Sequence, residues 1–235
     1  MRQGREYVMN DKAQSASGQA DLPEHERVYR ALRAQVLFGE LRPGQPVTIQ
    51  GLTAELDAGM TPVREAIRRM TSDGGLIFQG NRRVSVPVLG VSDVEEILFL
   101  RCRIEPELTR RACLRRTPEL LEELCAIDGQ LDTAISAGDI AGYLRHNHRF
   151  HETLYDAADA PILAQTAARL WLRFGPSLRV VCGRFGTRNL PDRHHEILDA
   201  IAAGQADAAA AAMDHDVTQG MTQVLEVLEE AGADP

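Results

Sequence analysis

The apolar positions divide the chain into two regimes. Val28, Leu32 and Val36 form one helical stripe after Pro23, and Leu41-Arg42-Pro43-Gly44 reads as the turn that follows its end at Gly39. Thr48 then precedes apolar positions 49, 52 and 56, the layout of a short capped helix. Asp57-Ala58-Gly59-Met60 has the length of a tight helix-helix turn, and Val63, Ala66, Ile67 and Met70 at i, i+3, i+4 and i+7 make the buried face of the next helix. Asp73-Gly74-Gly75 stops it. Leu76-Ile77-Phe78, the turn Gly80-Asn81-Arg82-Arg83, and Val84-Ser85-Val86 read as two strands of a basic hairpin. After a linker at 87–91 the period changes for good. Ser92-x-x-Glu95 reads as a capping box, and helices are expected from there through Ala112, from Thr117-Pro118, from Gly138-Asp139 to about Ala157, from Pro161 to about Val181, from Pro191 to Ala203, and from beyond Gly204 through Leu228, with Gly183 to Leu190 as a loop. The expected fold is mainly α: an N-terminal winged helix-turn-helix domain with a small β wing over 23–88, then an antiparallel bundle of about six helices over 92–231. Residues 1–22, polar and without period, read as a disordered arm.

The polar face of the third N-terminal helix carries Thr61, Arg64 and Arg68, with Arg69 beside them and Arg82 and Arg83 in the hairpin. A hydroxyl and several guanidiniums opposite an apolar face suit a helix lying in the major groove of double-stranded DNA. A solvated surface helix would look the same in isolation; the turn before it and the hairpin after it favour DNA.

Charge sharpens this picture. The net charge is −8, yet residues 1–90 hold 12 Lys and Arg against 10 Asp and Glu, and the remaining 14 bases face 24 acids. Phosphate attraction must come from local arginine placement, which points to binding as a homodimer. No apolar run approaches the ~20 residues of a membrane span, and the start of the chain has no apolar signal core, so a cytoplasmic protein without membrane contact is expected. Cys102, Cys113, Cys125 and Cys182 form no CxxC pair and read as reduced core thiols.

Two features of the helical half point to a ligand site. Arg101 shares its helical face with Leu98, Ile104 and Glu105. A charge in that company requires a partner, either Glu105 at i+4 or the carboxylate of a ligand. Six of the seven histidines follow residue 145, in the groups His146/His148/His151, His194/His195 and His215. Asn147 and His151 share a face at i, i+4, and His215 adjoins Asp216. Three helices could converge these groups on a divalent metal such as Zn or Ni; hydrogen-bonded structural histidines are the alternative.

Leu41-Arg42-Pro43-Gly44, Leu52, Thr61-Pro62-Val63-Arg64-Glu65-Ala66 and Gly74-Gly75-Leu76-Ile77 together resemble the winged-helix domain of the GntR family of bacterial transcription regulators. Gly59-Met60 stand where that family usually has Ser-Arg, and Arg83 where its wing has Gly. Arg101-Cys-Arg-Ile-Glu105, Asn147-x-x-Phe150-His151, and His194 followed by Ile197-Leu198-x-Ala200-Ile201-x-x-Gly204 look like the FCD effector domain of the FadR branch. The resemblance implies a repressor released by a small organic acid, with Arg101 as carboxylate receptor beside a metal held by Asn147, His151, His194 and a fourth ligand. That fourth position falls on Asp216, where His is usual, with His215 one residue early, so both are candidates. A metal-dependent enzyme is the competing class, but no nucleophile motif, HExxH or general base beside the ligands supports it.

Overall fold

The computed structural model describes residues 22–80, 83–186 and 193–232. Among them it has nine helices and one three-stranded antiparallel sheet. The head comprises α1 (Glu24–Leu37), β1 (Pro46–Val47), α2 (Ile49–Glu55), α3 (Met60–Ser72), β2 (Ile77–Gln79) and β3 (Arg83–Ser85). The bundle comprises α4 (Val91–Leu114), α5 (Pro118–Ala137), α6 (Ile140–Ala157), α7 (Pro161–Phe185), α8 (His194–Ala203) and α9 (Ala206–Gly232).

Local chemistry explains most boundaries. The Thr48 hydroxyl accepts from the Gly51 amide to start α2, Thr117 does the same from Leu120 for α5, and the Asp139 carboxylate from Gly142 for α6. Gly138, at φ 69°, supplies the left-handed turn that closes α5. In the head, Val63, Ala66, Ile67 and Met70 of α3 are buried against Val28, Leu32 and Val36 of α1, as their spacing implies. In the bundle, α9 packs along α4, and α5 along α6.

Four expectations need correction. The sheet has a third strand: Pro46–Val47 pairs with β3, placing β3 at the centre. Two residues between a turn and a cap are too short to carry a period. The bundle opens at Val91 rather than at a Ser92 cap; Gly90 is the N-cap, and Asp93 accepts from its amide. The apolar period of α7 runs past Val181 to Phe185, beyond the loop expected from Gly183. The helix expected from Pro191 begins at His194. Residues 1–21 of the polar arm, Arg82 and residues 187–190 lie outside the described residues. Of the cysteines, Cys113 and Cys182 are buried and Cys102 is half-buried, but Cys125 is exposed.

Head and bundle meet on α7. A Cβ at Gly175 would collide with the Leu37 carbonyl oxygen, so the helix backbones touch where α1 ends. Phe38, the next residue, lies edge-on to His148 of α6 at 5.9 Å, and His148 in turn lies edge-on to Trp171 of α7 at 5.0 Å.

Candidate DNA-reading face and interior ligand site

On the head, Thr61, Arg64, Arg68 and Arg83 are all exposed. Arg64, Arg68 and Arg83 border a groove of about 760 Å³ between α3 and the wing, floored by Val47, Ile49 and Ile67. Arg68 pairs with Glu65 at 3.1 Å, a surface contact easily exchanged for a phosphate. Arg69 does not border this groove. Its guanidinium lies 3.6 Å from the centroid of the Tyr29 ring and donates to Glu26 at 2.8 Å, both on α1. It fastens α3 to α1, a structural role beside the expected DNA-facing one. Two exposed apolar side chains, Met60 and Phe78, flank the basic positions.

In the bundle, Arg101, Asn147, His151 and Asp216 converge on one cavity of about 30 Å³, together with Tyr143, Trp171, Phe174 and Leu178. That is room for one or two water-sized occupants. Arg101 comes from α4, Asn147 and His151 from α6, Asp216 from α9, and the aromatic wall from α7. Arg101 is buried. It donates through Nε and Nη2 to the Glu105 carboxylate, the second contact at 3.0 Å, and its plane lies over Phe174 and Trp171 at 4.2 and 4.7 Å. Arg101 is therefore paired within its helix, the first of the two sequence readings, and it also lines the cavity. Glu105 takes the Nε–Nη2 edge, leaving the Nη1 hydrogens to a second acceptor.

His151 sits between two carboxylates. Its Nδ1 is 3.2 Å from Glu105 Oε2, and its Nε2 is 3.3 Å from Asp216 Oδ2. Burial works to lower its pKa, but the bonds to Asp216 and Glu105 outweigh burial and raise it. Burial likewise acts to raise both carboxylates; the Arg101 charge nevertheless holds Glu105 down at about 2, and the His151 bond holds Asp216 well below the usual range. Asp216 is fixed from its other side, where Oδ1 accepts from the Arg193 amide at the start of α8 at 3.0 Å.

His194, fully buried on α8, completes the group, and nitrogen and oxygen atoms of His151, His194 and Asp216 all lie within 4.8 Å of one another. The phenyl ring of Phe150 stacks on His194 at 3.8 Å. Its Nδ1 lies 3.3 Å from Asp128 Oδ1. Both imidazoles thus turn Nδ1 toward a carboxylate outside the group. A carboxylate accepts only, so in the His151–Glu105 bond Nδ1 donates, while the His194–Asp128 approach falls short of hydrogen-bond geometry. Two imidazoles, one carboxylate and the neighbouring Asn147 fit a Zn- or Ni-type ion by donor chemistry. His215 is exposed on the outside of α9 and does not join the group; one helical residue turns a side chain by about 100°, which separates it from Asp216. His146 also lies outside the group.

Sequence reasoning missed Asp128 and Trp171. Asp128 had a signal: it sits on the buried stripe of α5 with Leu124, Ile127 and Leu131, where a bare carboxylate would be costly. Trp171, whose indole donates to the Tyr155 hydroxyl at 3.0 Å, had none.

A winged head with an arginine-lined face, joined to a helical domain with an interior polar site, defines a DNA-binding regulator with a helical second domain. Comparison with known proteins agrees. Residues 24–86 match the model for bacterial regulatory proteins of the gntR family, and residues 96–219 match the FCD domain. The chain belongs to the GntR family and carries an FCD domain; it is a transcription regulator and not an enzyme. It is 29% identical over 180 residues to the HTH-type transcriptional regulator McbR of Escherichia coli K12, covering 75% of this chain and 81% of that one. It is 26% identical over 193 residues to the Nta operon transcriptional regulator of Aminobacter aminovorans, covering 80% and 88%. The solved structure of E. coli McbR/YncC superposes with a TM-score of 0.80 at 26% identity, covering 90% of this chain and 99% of the other. A GntR protein from Rhodococcus sp. RHA1 gives 0.71 at 25% identity, covering 86% and 97%. No described helix is long and apolar enough to cross a membrane.

Proposed function

We propose that the chain is a homodimeric repressor that reads an inverted repeat through Thr61, Arg64, Arg68 and the wing, and that a small carboxylate bound beside Arg101 tunes its operator affinity. Arg82 belongs to the wing and is included on the sequence alone. The observation that carries this reading is the convergence of Arg101, Asn147, His151 and Asp216 on one interior cavity whose wall, α7, also seats the head. A divalent ion held by His151, His194, Asp216 and Asn147 would supply a Lewis-acidic centre for the ligand's carboxylate. Arg101 would offer its Nη1 edge to the same group, and Trp171 and Phe174 would keep water from it.

Coupling follows from the geometry of α7. Trp171, Phe174 and Leu178 line the cavity, while Gly175 touches Leu37 at the end of α1. Pro176 removes one backbone hydrogen bond from α7 beside that contact, a local weakness at which the helix can bend. A ligand that fits one arrangement of α7 better than another shifts the head by that difference in affinity and no more, typically about 1–3 kcal/mol.

The test has two arms. Protein purified without added metal is analysed for metal content, alone and as His151→Ala and His194→Ala. Fluorescence anisotropy then follows binding to the DNA upstream of its own coding region, against scrambled DNA and with a panel of small organic acids. Metal lost in both variants and acid-driven release from one DNA would support the reading. Unchanged metal content in both variants would remove the metal, and release insensitive to Arg101→Ala would remove the receptor. A second reading, a bundle that only dimerises, draws on the Arg101–Glu105 pair, which balances the guanidinium charge without a ligand; it gains if no acid binds.

A further inference from the structure

A second group of possible ligands lies outside the cavity, on the seam between α5 and α8. Asp128 and Asp132 stand at i, i+4 on α5, and His195 lies in the first turn of α8 opposite them. His195 Nε2 is 3.7 Å from Asp128 Oδ2 and 4.0 Å from Asp132 Oδ2, and all three atoms lie within 4.8 Å of one another. Asp128 is nearly fully buried, whereas His195 and Asp132 are exposed at 70% and 55%. The buried carboxylate contacts no guanidinium or ammonium among the described residues. Its Oδ1 meets the Nδ1 of His194, its Oδ2 the imidazole of His195, and Oδ1 has no partner at hydrogen-bond geometry. A buried carboxylate flanked only by imidazoles is short of positive charge.

We propose that Asp128, Asp132 and His195 form an outer divalent-cation site, separate from the interior one and bridged to it by the Asp128 carboxylate. One imidazole nitrogen and two carboxylate oxygens suit Zn²⁺ or Ni²⁺ better than Mg²⁺ or Ca²⁺, which prefer oxygen alone. Ligand bonds of about 2.0–2.2 Å bring donor atoms somewhat closer than the distances seen here. His195 and Asp132 are exposed and can rotate inward, while Asp128 is held by the core. The open remainder of the coordination sphere faces solvent, so the site exchanges readily and binds more weakly than an enclosed one. The two sites oppose each other. A cation on Oδ2 draws charge from the carboxylate whose Oδ1 lies 3.3 Å from His194 Nδ1, and a cation held by His194 would feel a second one across that carboxylate. The outer site therefore reports metal excess to the interior site.

The experiment is a Zn²⁺ titration of the full chain against a chromophoric chelator, after metal removal, with circular dichroism to confirm folding. Wild type is expected to bind in a tight and a weak phase. His195→Ala and Asp132→Asn should each weaken the second phase at least tenfold and leave the first in place. His151→Ala should do the reverse, which separates failure of the outer site from failure of the interior one. A weak phase that survives both outer variants, disappears with His151→Ala, or is absent from wild type would overturn the proposal.

Discussion

Glu105→Gln offers a direct test of the cavity's construction. The substitution keeps the shape of the side chain and deletes its charge. Glu105 is fully buried, and it is the only carboxylate recorded in contact with Arg101 among the described residues. Breaking a buried ion pair from one side costs about 3–5 kcal/mol, because the remaining charge stays buried without its partner. Two features lessen the loss here. The guanidinium keeps the faces of Trp171 and Phe174, which are worth up to about 2 kcal/mol when desolvated, and Asp216 lies across the same cavity. The expected loss is therefore near the lower bound, about 3 kcal/mol, or a fall in Tm of ~6–12 °C at the ~2–4 °C per kcal/mol usual for chains of this length. Urea unfolding followed by circular dichroism, with a chelator present, measures it. The double variant Arg101→Met with Glu105→Leu removes both charges and should recover most of the loss, as apolar replacements of whole buried pairs do. A loss under about 1 kcal/mol in Glu105→Gln, or a double variant less stable than the single one, would refute the view that Arg101 depends on Glu105 for its burial.

Other outcomes follow from separate contacts. Arg64→Ala should weaken operator binding by roughly 1–3 kcal/mol without changing Tm, whereas Arg69→Ala should lower head stability by about 1 kcal/mol through its lost Tyr29 and Glu26 contacts; anisotropy and thermal melts distinguish them, and identical profiles would undo the assignment. Gly175→Ala places a methyl against the Leu37 carbonyl, so about 1–3 kcal/mol of overpacking should appear, with faster proteolysis in the 87–90 linker; an unperturbed variant would mean the two helices can separate freely. Glu107, bonded by Arg110 and Arg111, has its pKa lowered to about 2. A depressed carboxylate stabilises above its unfolded pKa, so Glu107→Gln should cost up to ~1 kcal/mol at pH 7, a difference that closes as pH falls from about 4.5 toward 2; a difference constant with pH would show that charge is not its source.

The fold was legible because its period changes were long and its caps local. Val63, Ala66, Ile67 and Met70 announced α3, and Thr117-Pro118 and Asp139 announced α5 and α6, each within a few residues. What escaped was non-local or too short. The two residues of β1 show no period, and their strand exists only because β3 lies beside them. Arg69 looked like another guanidinium on the outer face; only its position over Tyr29 shows that α1 claims it. The site was legible in part for the same reason. Asn147 and His151 are one helical turn apart, but Asp128, His194 and Asp216 come from three helices, and no spacing along the chain could choose between Asp216 and His215. The orientation of α9 makes that choice, since one side chain turns inward and its neighbour outward.

The division of charge explains why so small a cavity could matter to DNA binding. The head carries a surplus of only two bases over residues 1–90, and Arg69 and Glu26 already neutralise each other within it. Among the described residues the only guanidiniums that border the groove between α3 and the wing are those of Arg64, Arg68 and Arg83, so on the proposed reading few phosphates are neutralised there and the sequence-independent part of the affinity is small. A regulator anchored by a large basic surface would need a large coupling energy to leave DNA. One held, as proposed, by Arg64, Arg68 and the wing would sit close to release, and the ~1–3 kcal/mol that one site can transmit to another would then be enough to change occupancy severalfold or more. On the proposed reading, a head that binds phosphates weakly is what would make control through α7 effective.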